Sequence, residues 1–261
     1  MPVRDRAPLG APCWVDLWTS DVDASRRFYA GLFGWEALEA SPEFGGYFMF
    51  MRGDTPVAGG MGDMGEMRAD NRWKVYLATA DVDATVEKVD ASGGIVGFPT
   101  MGVADMGVQS VIVDSTGATL GLWQPGTFQG FTVLDEPGAP SWFELHTNDY
   151  TKAIEFYRDA IGWETDAMGD SEGIRYSMAR GRGSETPFAG VYDASADLPV
   201  GSVSSWTTYW SVEDVDAAIT KLRSLGGDVT QEAQDTPYGR VAAVTDTTGA
   251  PFRLIRRPQQ G

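Results

Sequence analysis

Histidine, cysteine and basic residues are scarce in this 261-residue chain: it has one His (His146), one Cys (Cys13), and 20 Lys+Arg against 37 Asp+Glu, for a formal net charge of −17. A lone Cys13 excludes an intramolecular disulfide and suits a reducing compartment. With only one possible His partner it is also a poor nucleophile. The acidic balance argues against nucleic-acid or anionic-membrane partners, because phosphates are held through Lys and Arg. No apolar run approaches the roughly 20 residues that cross a bilayer, and MPVRDRAPLG offers no signal-peptide apolar stretch. The expectation is a cytoplasmic protein without nucleic-acid or membrane partners. At 43% hydrophobic and 22% charged, the chain is long enough to bury about two cores.

What is present is a repeat. WVDLWTSDVDASRRFYAGLFGW from Trp14 is echoed by WFELHTNDYTKAIEFYRDAIGW from Trp142, at a constant offset of 128 residues. A repeat of this length is two copies of one domain rather than a solenoid. WKVYLATADVDATVEKVDASGG from Trp73 pairs in the same way with WTTYWSVEDVDAAITKLRSLGG from Trp206, and VIVDSTGATLGLW from Val111 with AVTDTTGAPFRLI from Ala243. Residues common to both copies are expected to be scaffold, and residues that differ are where function can be asymmetric. Each half-copy opens with an alternating strand, passes an acidic turn into an amphipathic helix, and returns through short Gly-punctuated strands. Asp21 is a candidate N-cap, and Phe28, Tyr29 and Leu32 fall at helical spacing. The predicted fold is α+β: four βαβββ modules forming two tandem domains with curved, mostly antiparallel sheets. The domains are residues 10–130 and 140–258. Residues 131–139, which take in most of VLDEPGAP (Val133–Pro140), join them. How the four modules pair is left open.

Paired βαβββ modules with xxDxxxAxxFYxxxxGW after the first strand and DxxGxxxxL near the end resemble the glyoxalase / bleomycin-resistance / dihydroxybiphenyl dioxygenase superfamily, the vicinal oxygen chelate proteins. The resemblance covers about residues 10–125 and 138–258. The WxDL and WxEL openings look most like two-domain actinobacterial members labelled glyoxalase-like or hydroxylase. Metal enzymes of this family carry a first ligand, His or Gln, seven residues before the helix-capping Asp. That position is Trp14 and Trp142 here, and Lys74 and Thr207 in the second modules. The closing Glu position falls on Gly121 and Arg253. A two-His, one-carboxylate iron site is beyond a chain with one His, and no metal or other cofactor is expected.

Strand alternation then shows what faces the concave side. If Trp14 faces inward, so do Asp16 and Trp18; in the second copy Trp142, Glu144 and His146 do. Lys74 and Tyr76 share one inner face, and Thr207 and Tyr209 share its counterpart. Trp123 joins the first cavity and Arg253 the second. Each cavity is thus expected to hold a Trp, a carboxylate and a Tyr. As an acid/base set, Glu144, His146, Asp16, Tyr76 and Tyr209 are the candidates; Trp14, Trp18, Lys74, Trp123, Trp142, Thr207 and Arg253 are candidate ligand contacts. The Met- and Gly-rich segment GGMGDMGEMRAD, Gly59–Asp70, reads as a crossover loop, with a lid over the first cavity as its other reading. Two functions fit. One is metal-independent lyase, isomerase or hydroxylase-type chemistry on a small carbonyl or aromatic compound. The other is binding of an antibiotic or metabolite without conversion. The partner is a small organic molecule, and the chain is expected to be a monomer or weak homodimer.

Overall fold

Each of the four α-helices among the described residues begins on an aspartate. α1 (Val22–Phe33), α2 (Val82–Ala91), α3 (Tyr150–Phe156) and α4 (Val215–Ser224) follow Asp21, Asp81, Asp149 and Asp214. Each carboxylate accepts the backbone N–H three residues on, at 2.9–3.1 Å, which satisfies one of the orphan donors of a first helical turn. At the other end, α1 stops at Gly34 with φ 73°. α3 continues into a π-helical turn, Tyr157–Ile161, and stops at Gly162 with φ 86°. A left-handed residue suits glycine at both places.

The computed structural model describes residues 4–39, 42–65, 68–168, 175–199 and 201–258. The first copy forms β1 (Pro12–Trp18), β2 (Glu36–Ala37), β3 (Phe48–Arg52), β4 (Thr55–Met61), β5 (Arg72–Ala78), β6 (Ile95–Val103), β7 (Gly107–Val113) and β8 (Thr119–Pro125). They make one eight-stranded sheet in the order β2-β3-β4-β1-β5-β8-β7-β6. The second copy repeats this with β9 (Pro140–Thr147), β10 (Trp163–Ala167), β11 (Tyr176–Gly181), β12 (Ala189–Asp193), β13 (Ser205–Ser211), β14 (Asp228–Thr236), β15 (Gly239–Thr245) and β16 (Pro251–Arg256). Its order is β10-β11-β12-β9-β13-β16-β15-β14. The βαβββ modules therefore pair within each copy, and they meet where β1 runs antiparallel to β5 and β9 to β13. Only β1–β4, β5–β8 and their counterparts are parallel. The Gly59–Asp70 segment is corrected in part: Gly59, Gly60 and Met61 belong to β4. Glu66 and Met67 lie outside the described residues.

The helix-bearing faces of the two sheets meet in an aromatic core. Trp35 lies 4.8 Å and Trp73 5.2 Å, between ring centroids, from Trp210. The docking is pseudo-symmetric and uses repeated residues. Trp73 Nε1 donates to the Tyr29 hydroxyl, which donates to Asp246 Oδ2 in the other copy, at 3.0 and 3.1 Å. Trp206 Nε1, Tyr157 and Asp114 repeat the chain in reverse at 3.0 and 2.9 Å. Trp35 Nε1 reaches the Gly138 carbonyl, and Trp163 Nε1 the Gly10 carbonyl, each at 2.9 Å. The aspartates also close their own DxxG turns: Asp114 accepts from Thr116 and Ala118, and Asp246 from Thr248 and Ala250. The FY and DxxG repeats are thus docking machinery, which leaves the opposite sheet faces for the residues that differ between copies.

Candidate functional site

On that opposite face of the first sheet, Trp14, Asp16 and Trp18 project from β1, since alternation sends Val15 and Leu17 to the core. Register places Tyr76 opposite Trp14 and Lys74 opposite Asp16, with Gly59 of β4 on the other side of Asp16. Asp16 is buried, and its Oδ1 accepts from Trp14 Nε1 at 2.9 Å and from the Tyr47 hydroxyl at 2.8 Å. Burial pushes this carboxyl above its ordinary range, against the opposing pull of hydrogen bonds from Tyr47, Tyr76 and Trp14 and the charge of Lys74. Burial also holds the Tyr47 and Tyr76 hydroxyls well above theirs, so both remain donors.

Two glycines make this arrangement possible. A Cβ on Gly59 would overlap the Tyr47 hydroxyl and Asp16 Oδ1, and one on Gly121 would overlap the Tyr76 ring. Gly121 sits beside Tyr76 in the β5–β8 register. It occupies the position of the family's closing ligand, and there the space belongs to a tyrosine ring.

Above Asp16 opens a cavity of about 450 Å³, within the range of small-molecule sites. Trp14, Asp16, Trp18, Tyr76 and Trp123 line it as alternation predicts; Tyr47, Phe98, Phe128 and five methionines (49, 61, 64, 101 and 106) complete it. Half of the chain's ten methionines thus wall one cavity, an adaptable surface for a flat apolar guest. The Trp14 ring meets Phe128 edge-on at 4.8 Å, and Trp123 Nε1 donates to the Phe128 carbonyl at 3.0 Å. Lys74, expected as a ligand contact, does not itself line the cavity; it is buried against Trp18, which does, with its Nζ 3.2 Å from the Trp18 ring centroid. Burial lowers its pKa to about 8, offset in part by Asp70 and Asp16.

The remaining expected residues lie on the other sheet and do not line this cavity. Glu144 Oε1 accepts from Tyr209 at 2.8 Å and lies 2.7 Å from His146 Nε2. Burial pushes the Glu144 carboxyl up, but the hydrogen bond and charge of His146, with Tyr209 and Arg253, outweigh it and leave it below its ordinary range. Trp142 Nε1 donates to Tyr176 at 3.1 Å, Thr207 pairs with Glu144 across the strands, and Arg253 stands 5.4 Å from the Tyr209 ring centroid. The candidate acid/base residues thus lie on the two sheets that alternation assigns them: Asp16 with Tyr76 on the first, and Glu144 with His146 and Tyr209 on the second. Neither Tyr47 nor Tyr176, which covers Gly190 in the second copy as Tyr47 covers Gly59 in the first, was anticipated. The β6 wall was not anticipated either, because β6 is largely exposed and has no inward period.

A metal does not fit the first site. Among the described residues no group of three or more His, Cys, Asp or Glu is placed to hold one. Trp14 and Gly121 offer no side-chain donor where the family's ligands stand, and Lys74 offers only an amine.

Comparison with known proteins agrees with this architecture. The family model described as Glyoxalase/Bleomycin resistance protein/Dioxygenase superfamily matches residues 13–120 and again 139–254. A protein of Mycobacterium tuberculosis named "Putative glyoxylase CFP32" is 35% identical over 269 residues, covering 100% of both chains. The anthracycline biosynthesis protein DauV of Streptomyces sp. is 35% identical over 264 residues, covering 94% of this chain and 93% of its own. Among solved structures, the Mn(II)-bound glyoxalase from Novosphingobium aromaticivorans superposes with a TM-score of 0.64 at 18% identity, over 95% of this chain and 83% of that one. That likeness is one of fold, whereas the two family-model matches and the full-length relatives carry membership: the chain belongs to the glyoxalase/bleomycin resistance/dioxygenase superfamily, with one family domain in each copy.

Proposed function

We propose that the first domain is the working half, taking up a flat, mostly apolar aromatic or carbonyl compound and exchanging a proton with it through Asp16. The observation that carries this reading is one buried carboxyl, Asp16, in a cavity walled mainly by aromatic and methionine side chains, with Glu43 and Gln109 as further polar lining. An apolar enclosure supplies binding, and a carboxyl that burial raises above its ordinary range can serve as acid as well as base. Tyr47 and Tyr76 orient that carboxyl. The DauV relative is named for the biosynthesis of anthracyclines and the mycobacterial one as a glyoxylase; both names agree with an oxygenated organic substrate. The class of reaction that fits is a lyase, isomerase or hydroxylase-type step begun by proton transfer.

A second reading, binding without conversion, is favoured by one observation: Glu144 and His146, the other proton-exchanging pair, are bonded to each other on the far sheet. Titrating aromatic ketones and quinones against tryptophan fluorescence, with product analysis by mass spectrometry, separates the two. Asp16→Asn is expected to keep binding and lose turnover. Ligand recovered unchanged from the unmodified protein would support the binder, and absence of binding by any such compound would sink both readings.

A further inference from the structure

Lysine is rare here, and its four copies are unequal. Lys88, Lys152 and Lys221 are exposed on α2, α3 and α4, whereas Lys74 is buried on the inner face of β5. A buried ammonium is normally paired with a carboxylate. Among the described residues Lys74 has no hydrogen bond and no ion pair; its Nζ rests on the Trp18 indole at 3.2 Å. It is placed directly opposite Asp16 in the β1–β5 register, and both Trp18 and Asp16 line the cavity. In the second copy Thr207 takes the place of Lys74 and His146 that of Trp18, so the pairing of amine with indole is particular to the half that has the cavity.

We infer that Lys74 captures a carbonyl compound covalently: its Nζ adds to the carbon of an aldehyde or ketone entering the cavity, and the adduct closes to an imine. The nitrogen lone pair forms the C–N bond while the carbonyl π pair moves to oxygen. A proton then passes from the nitrogen to that oxygen, giving the carbinolamine. Loss of water then leaves C=N, so one amine and one carbonyl give one imine and one water, without oxidant or reductant. The step needs a free amine, and the surroundings supply it. Burial under Trp18 lowers the Lys74 pKa, and of the groups facing it only Asp70 and Asp16 raise it. At pH 8 such a lysine is about half unprotonated, against less than about 1% for an ordinary one. Cation–π contact with the Trp18 indole positions the ammonium form and lapses when the proton departs, which frees the nitrogen lone pair.

The inference rests on the proposed function in one respect, that the cavity admits an organic carbonyl compound. Its test is reductive trapping: the full chain with 2-naphthaldehyde and cyanoborohydride at pH 8, followed by peptide mapping, with binding of the aldehyde read in parallel from tryptophan fluorescence. Lys74 is expected to be labelled about tenfold or more faster than Lys88, Lys152 and Lys221. Lys74→Met is expected to bind the aldehyde and lose the fast label. If the aldehyde binds but label collects only on the exposed lysines, the imine is refuted and the cavity reading survives. If neither 2-naphthaldehyde nor its unreactive analogue 2-methylnaphthalene binds and Lys74 stays unlabelled, both fall.

Discussion

Tyr29→Phe isolates the interdomain lock, because it removes one oxygen and leaves the ring. That ring is fully buried and packs on Trp35 and Trp73 at 5.5 and 5.3 Å, so packing is unchanged. What changes is that Trp73 Nε1 loses its acceptor and Asp246 Oδ2 its donor, both in residues no more than 4% exposed. Each orphaned buried group costs about 1–3 kcal/mol, so the pair costs about 2–6 kcal/mol. For a chain of this size that is a melting temperature lower by roughly 5–15 °C. Tyr157→Phe orphans Trp206 and Asp114 in the same way and is expected to match. The two locks share no partner, so the double variant is expected to be additive within about 0.5 kcal/mol. Urea melts give the free energies directly. A loss below about 0.5 kcal/mol for either variant, or a large loss for one and none for the other, would refute the pseudo-symmetric lock.

The two carboxyls give opposite pH signatures. Asp16 is raised in the folded protein, so its contribution to stability is full below the unfolded value of about 3.9 and is lost as pH rises through the folded one. Asp16→Asn keeps an acceptor for Trp14 and Tyr47, and is expected to gain on the unmodified protein in urea melts from pH 4 toward pH 7; a parallel pair of curves contradicts this. Glu144 is depressed, so its contribution is present above about 4.3 and is lost as pH falls through the folded value. Glu144→Gln is expected to be less stable at pH 7, with the gap closing in acid, as the same melts would report. Gly59→Ala drives a methyl group into the Tyr47–Asp16 hydrogen bond and is expected to cost about 2 kcal/mol and weaken cavity binding. Gly102→Ala, whose Cβ meets nothing within 4 Å, is expected to stay within about 0.5 kcal/mol. Equal effects at the two glycines would show that the close approach at Gly59 is unimportant.

The fold was legible because repetition and period agree: the same alternating strand, capping Asp and amphipathic helix occur four times, and each signal is local. The inward positions Trp14, Asp16, Trp18 and Tyr76 were legible for the same reason, since a period of two fixes a face once one member is placed. What was not legible depends on partners far apart in sequence. Gly59 and Gly60 read as loop because glycine is rare in strand interiors; only the position of the Tyr47 hydroxyl over β4 explains why a strand needs glycine there. Glu144 with His146 was legible as a candidate acid/base pair, because an i, i+2 carboxylate and imidazole on one face is a local pattern. That the two bond to each other and to Tyr209 is a tertiary fact. The role of the FY and DxxG repeats in holding the copies together also lies outside any single module.

The contrast between the two inner faces follows from a few substitutions at matched positions. Asp16 is one methylene shorter than Glu144 and remains at the sheet surface between Trp14 and Tyr47, whereas the Glu144 carboxylate reaches both His146 and Tyr209. Gly121 leaves the Tyr76 ring flat against β8, whereas Arg253 projects a guanidinium toward Tyr209 and helps hold Glu144 ionised. The apolar β6, IVGFPTMGV, supplies Phe98 and Met101 to the cavity, whereas its counterpart β14, DVTQEAQDT, is polar except for Val229 and Ala233, which pack against the core. Opening the first face requires a small residue at 121, a short carboxylate at 16 and an apolar edge strand together. A larger side chain at 121 would displace Tyr76, and a polar β6 would leave the indoles without an opposing wall. The second face has made the opposite choice at all three positions. There Glu144 is tied to His146 and Tyr209, in the place where the first copy presents a carboxyl in a largely apolar cavity.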